Sequence, residues 1–100
     1  SRLPDRTYTI VCSILADKNP DAMLATLAAV GDTFVATESA NRRAIPASEL
    51  ARIAAGHFPT VESVPDPSRA LERARSLAGP DGAVLVTGSL YLLAALSLDA

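Results

Sequence analysis

The sequence predicts an α/β domain in which a mainly parallel sheet of about four strands carries helices on both faces. Three observations predict it. Strand and helix patterns alternate along the whole chain. The strongest strand patterns are apolar at consecutive positions, as in strands covered on both faces. Helix-start signals, Asn19-Pro20 and Asp66-Pro67, stand before helical periodicities.

Each element follows in order. Tyr8 to Leu15 is β-branched and almost continuously apolar, and reads as a buried strand. Asn19 then caps a helix whose first position suits Pro20. Met23, Leu24, Leu27 and Ala28 share one face of it, and Gly31 is expected to end it. Thr33 to Thr37 is a second strand. Pro46 starts a second helix with Leu50, Ile53 and Ala54 inward and Gly56 at its end. Thr60 to Val64 is a short strand near an edge. After Asp66-Pro67, Ala70, Leu71, Ala74 and Leu77 face inward, while Arg69, Glu72, Arg73 and Arg75 form a solvated face. Gly79-Pro80-Asp81-Gly82 is a stop and turn. Ala83 to Thr87 reads as a central strand. Ser89 to about Leu98 reads as a helix apolar nearly all round, buried or lying against another domain. Strand twist makes the crossovers right-handed.

Bulk composition bounds the function. One hundred residues suggest a single domain, 1–100. Hydrophobic residues at 49% and charged residues at 20% give a core and exclude disorder; with 4% aromatic, that core is aliphatic. A net charge of -2 gives no pull toward nucleic acid. The uncharged run from Ala83 to Leu98 is shorter than a membrane span and is broken by Thr87-Gly88-Ser89, so no membrane partner is expected. Cys12 has no second cysteine to pair with, fits a reducing, cytoplasmic setting, and reads as a buried structural thiol inside a strand. His57 has no companion nucleophile or base, and His57 with Cys12 is too few ligands for a metal. Phe58 and Tyr91 read as packing residues. The chain opens Ser1-Arg2-Leu3-Pro4-Asp5 and its one methionine is Met23, which reads as a piece of a longer protein.

Ligands of open α/β sheets bind outside the carboxyl ends of the strands. Asp17-Lys18 follows the first strand. Thr37-Glu38-Ser39 follows the second, with Arg42 and Arg43 further along the loop, and Thr87-Gly88-Ser89 follows the last. Two of these places adjoin helix N-termini, whose free N–H groups favour anions. Gly88 admits close backbone approach. The edge suits a carboxylate or a phosphate. Blander roles compete at each position: Lys18 as a solvated lysine, Ser89 as a plain cap, the arginines as a loop coat, Thr37 as a strand end. No Gly-x-x-x-x-Gly-Lys-Ser/Thr loop, Gly-x-Gly-x-x-Gly turn, Gly-x-Ser-x-Gly elbow or acidic cluster is present.

Several segments resemble folylpolyglutamate/dihydrofolate synthases of the Mur ligase superfamily. Ile14-Leu15-Ala16-Asp17-Lys18-Asn19 resembles their strand-end "DK" motif. Thr37-Glu38-Ser39-Ala40-Asn41-Arg42-Arg43-Ala44, then Glu49-Leu50, resembles a "T…S-P-R-A…L" stretch, with Arg42 standing where the family has proline. Ala70-Leu71 and Ala74 match "A-L-x-x-A", and Val84-Leu85-Val86-Thr87-Gly88-Ser89-Leu90-Tyr91 resembles a familiar C-terminal ending. The match runs from about Val11 to Leu96.

The resemblance implies a Rossmann-like C-terminal ligase domain. It lacks the parent's central ATPase domain and the family's opening strand, which ends in Asp-x-Ala-His-Asn-Pro. It further implies an ATP- and Mg2+-dependent parent that joins L-glutamate to dihydropteroate or folate through an acyl phosphate. The metal would not be bound by this chain. Lys18, Thr87, Gly88 and Ser89 would bind substrate. Asp17, Thr37 and Arg43 would line the nucleotide or substrate edge, and no catalytic residue lies in this chain alone. Two other readings stand beside it: a non-catalytic α/β module binding anions or nucleotides, and a Mur-type cell-wall peptide ligase domain.

Overall fold

The computed structural model describes residues 8–16, 19–38, 42–80 and 82–88. Its elements are β1 (Tyr8–Ser13), α1 (Pro20–Leu27), β2 (Gly31–Ala36), α2 (Ala47–Ala54), β3 (Thr60–Ser63), α3 (Pro67–Ala78) and β4 (Ala83–Gly88). The four strands form one sheet in the order β3-β2-β1-β4, and every pairing is parallel.

Side-chain alternation sorts the core into two layers. Ile10, Cys12, Ile14, Phe34 and Ala36 face one side, where Leu24 of α1 and Leu50 and Ala54 of α2 cover them. Val11 and Val35 face the other, under Ala70 and Ala74 of α3. Phe34 and Phe58 stack at 4.9 Å between centroids, worth about 0.5–1.5 kcal/mol beyond their burial. The chain steps from β1 to β2 to β3 with α1 and α2 on one face. It then steps back past β1 to β4 with α3 on the opposite face. Reversing both direction and face preserves the hand, so all three crossovers share one hand, as strand twist requires.

The caps form as their residues predict. The Asn19 side-chain oxygen accepts from the Ala22 N–H at 3.2 Å, and Asp66 accepts from the Arg69 N–H at 3.0 Å. Met23, Leu27 and Ala28 pack with Leu24 against the first core layer. Gly79 ends α3 at φ +79°, its N–H donating to the Arg75 carbonyl at 3.0 Å.

Several expectations are corrected. Gly31 does not end α1. The helix stops at Leu27, a turn follows, and Gly31 is the first residue of β2. A Cβ there would lie 2.7 Å from the Tyr8 carbonyl oxygen and 2.5 Å from Ile10 Cδ1, so close strand approach is what requires glycine. Likewise α2 ends at Ala54, two residues before Gly56. Leu71 is half-buried rather than part of the α3 core face, which Ala70 and Ala74 form with Leu77. Arg73 is not simply solvated: its guanidinium makes two hydrogen bonds, at 2.7 and 2.8 Å, to Glu62 on β3. That pairing holds the Glu62 carboxyl below its ordinary range.

The largest correction concerns β4. It was read as central, yet among the described residues it pairs only with β1 and stands at the sheet edge. Its residues pack toward both sides, Leu85 on the first layer and Val84 and Val86 on the second under α3. The predicted helix from Ser89 to about Leu98, with Tyr91, lies outside the described residues.

Candidate functional site

Parallel pairing gathers the carboxyl ends of all four strands along one edge. Register places Ser13 beside Gly88, so β1 and β4 finish side by side. From β1 the chain leaves toward β2 on one side, whereas β4 lies on the other. This is the point where strand order reverses, where open α/β sheets leave a crevice for ligands. Thr87 and Gly88, the last two residues of β4, stand at it. Asp17, Lys18 and Ser89 lie outside the described residues; of their described neighbours, Ala16 lies three residues past the end of β1, Asn19 caps α1, and Gly88 is the last residue of β4.

Thr37 is fully buried just past the end of β2. Its hydroxyl donates to the Pro65 carbonyl at 2.8 Å, and the Glu38 N–H points to the same oxygen at 3.4 Å. The hydroxyl proton therefore ties the loop after β2 to the loop after β3. What Thr37 offers the edge is the position of its neighbours.

The far end of the loop after β2 is anchored too. Leu15 and Ala44 form an antiparallel bridge; the Ala16 N–H donates to the Arg43 carbonyl at 2.7 Å and the Ile45 N–H to the Ile14 carbonyl at 2.9 Å. Residues 43–45 thus fold back along the extension of β1, and the exposed Arg42 and Arg43 are brought beside it. Sequence reading placed Arg43 in the loop after the second strand but missed this return. No local signal announces it, because the pairing joins residues about thirty positions apart in a segment without strand periodicity. The first strand, read as running to Leu15, ends at Ser13, which is fully buried.

The remaining candidates separate from this edge. Cys12 is buried in β1, and desolvation pushes its thiol up to about 12, so it is no nucleophile. The His57 Nε2 meets Asp21 at 3.1 Å, tying the segment after α2 to the first turn of α1. Phe58 is a core residue, as expected. Among the described residues no three His, Cys, Asp or Glu side chains stand together as a metal site. Among them, too, no helix is long and apolar enough to cross a membrane.

A parallel sheet with helices on both faces, a reversal of strand order and loops anchored at its carboxyl edge define a Rossmann-like α/β domain. The family model described as Mur ligase, glutamate ligase domain, matches residues 1–90, and the chain belongs to that family. Folylpolyglutamate synthase of Mycobacterium tuberculosis, complexed with ADP, is similar at 30% identity with a TM-score of 0.80, over 93% of this chain and 23% of that one. A second structure of that enzyme, from work with ADP and AMPPCP, gives 32% identity and 0.79 over the same shares. The bifunctional folylpolyglutamate synthase/dihydrofolate synthase of Yersinia pestis c092, complexed with AMPPNP and a Mn ion, shares the fold at 0.82 with 23% identity, over 97% of this chain and 23% of that one. The chain therefore spans about a quarter of the length of these structures. No curated protein sequence matches it.

Proposed function

We propose that this chain is the C-terminal domain of an ATP-dependent ligase that joins L-glutamate to dihydropteroate or folate, working in the cytoplasm. The observation that carries the reading is the family match over residues 1–90, supported by 30–32% identity to a folylpolyglutamate synthase across 93% of the chain. The geometry agrees in kind: the reversal point beside Ser13 and Gly88 and the anchored arginines of the loop after β2 make an edge fit for carboxylates or phosphates.

In this reading ATP phosphorylates the acceptor's carboxylate, and the amine of glutamate attacks the acyl phosphate, releasing phosphate and forming the amide. The central domain of the parent supplies the phosphate loop and the Mg2+ site. This domain closes over the reacting groups and excludes water that would hydrolyse the acyl phosphate. Lys18 meets a carboxylate or phosphoryl oxygens; Ser89, with Thr87 and Gly88, meets a glutamate carboxylate. Asp17, Thr37 and Arg43 shape the neighbouring edge. Alone, the chain has no ligase activity.

The test is phosphate release by the full-length parent with ATP, Mg2+, L-glutamate and either dihydropteroate or tetrahydrofolate. Release that requires both glutamate and a pteroate or folate supports the proposal, and the preferred acceptor separates the two activities. No release with any such acceptor overturns it and favours a cell-wall peptide ligase or a non-catalytic binding module.

A further inference from the structure

We infer that Arg42 is a specificity-determining residue that binds a substrate carboxylate at the carboxyl edge of the sheet; the inference rests on the ligase reading above. The loop that carries it is tied down on both sides. Thr37 holds its start to Pro65, and the pairing of residues 43–45 with Ile14, Leu15 and Ala16 holds its end. Arg42 stands immediately before that pairing and is exposed. Anchoring of the backbone that follows Arg42 leaves less motion to lose when the side chain meets a ligand.

Its charge has no internal use among the described residues. The ion pairs there join Arg52 to Glu49, His57 to Asp21 and Arg73 to Glu62, and Arg42 takes part in none of them. The Asp66 carboxylate, on the neighbouring loop, is engaged as the cap of α3. Arg43 follows directly and is also exposed, so the return of the loop carries two consecutive arginines past the end of β1. Positive charge at this edge favours an anion, and the Arg42 guanidinium matches a carboxylate through two parallel N–H donors. Two substrates of the proposed reaction carry that group: the incoming amino acid, and an acceptor bearing glutamate.

The experiment measures phosphate release by the full-length parent carrying Arg42→Ala or Arg42→Lys. L-glutamate is varied first, then folates bearing one or several glutamates, then ATP. For Arg42→Ala the KM for a carboxylate substrate is expected to rise about three- to ten-fold with kcat little changed, as for loss of an exposed charge-assisted hydrogen bond. Arg42→Lys, which keeps charge but loses the planar fork, is expected to fall between. Melting temperature should not move. A higher KM for glutamate assigns the incoming amino acid as the ligand. A higher KM for folate that grows with its glutamate count assigns the acceptor. Unchanged KM for both, or a rise for ATP alone, overturns the inference. A wild-type parent inactive with glutamate and every folate sinks the ligase reading itself, whereas an active wild type with unaltered Arg42→Ala constants sinks this inference only.

Discussion

Thr37→Val tests whether the tie between the loops after β2 and β3 is a structural force at the candidate site. Valine nearly preserves the volume of this fully buried side chain and replaces only the hydroxyl that donates to the Pro65 carbonyl at 2.8 Å. Loss of one intramolecular hydrogen bond costs about 1 kcal/mol net. The penalty for a stranded acceptor adds little here. Pro65 is an exposed residue, and the Glu38 N–H still approaches its carbonyl at 3.4 Å. The expected cost is therefore about 1 kcal/mol, which lowers the melting temperature of a domain this size by about 4–8 °C. The assay is thermal unfolding followed by circular dichroism, with amide hydrogen exchange at Glu38. Exchange there should quicken more in Thr37→Val than in Thr37→Ser, which keeps the hydroxyl. An unchanged melting temperature together with unchanged protection of Glu38 refutes the tie.

Three further outcomes are expected. Gly31→Ala forces a methyl against the Tyr8 carbonyl and Ile10, and should cost about 1–3 kcal/mol in urea unfolding, more than glycine-to-alanine changes at open positions. Burial raises the Cys12 pKa from 9.0 to about 12, so between those values the folded state holds a proton that the unfolded state has lost. Stability should then fall as pH rises through about 9 to 12, by at most about 1.4 kcal/mol per pH unit from this group. Cys12→Ala should flatten that slope; an equal slope in the variant denies the assignment. In the full-length parent, Lys18→Ala and Ser89→Ala should weaken glutamate use more than folding, and unchanged kinetics for both would remove them from the site.

The layers of the fold were legible because each face leaves a local period. Leu24 with Met23 and Leu27, or Ala70 with Ala74, recur at helical spacing, and Ile10 to Val11 to Cys12 alternates between two covered faces. Asn19 and Asp66 announced their helices because capping acts within three residues. Gly31 misled because a glycine after an apolar helix face suits a C-cap as well as a crowded strand start, and the crowding comes from β1, some twenty residues away. The family resemblance added the order of the edge residues, yet the buried hydroxyl of Thr37 and its acceptor lie twenty-eight positions apart and leave no mark in either segment.

By itself, then, the sequence determined the alternation of elements, most of the inward faces and the capped starts of α1 and α3. These depend on neighbours within a turn or two of chain. Strand order, the edge position of β4 among the described residues, the Arg73–Glu62 pair, the Thr37–Pro65 tie and the return of residues 43–45 along β1 were decided only by the tertiary structure. A covered strand is apolar on both faces whether one strand or two flank it, and distant partners become neighbours only when the crossovers bring the ends of β1, β2 and β3 together.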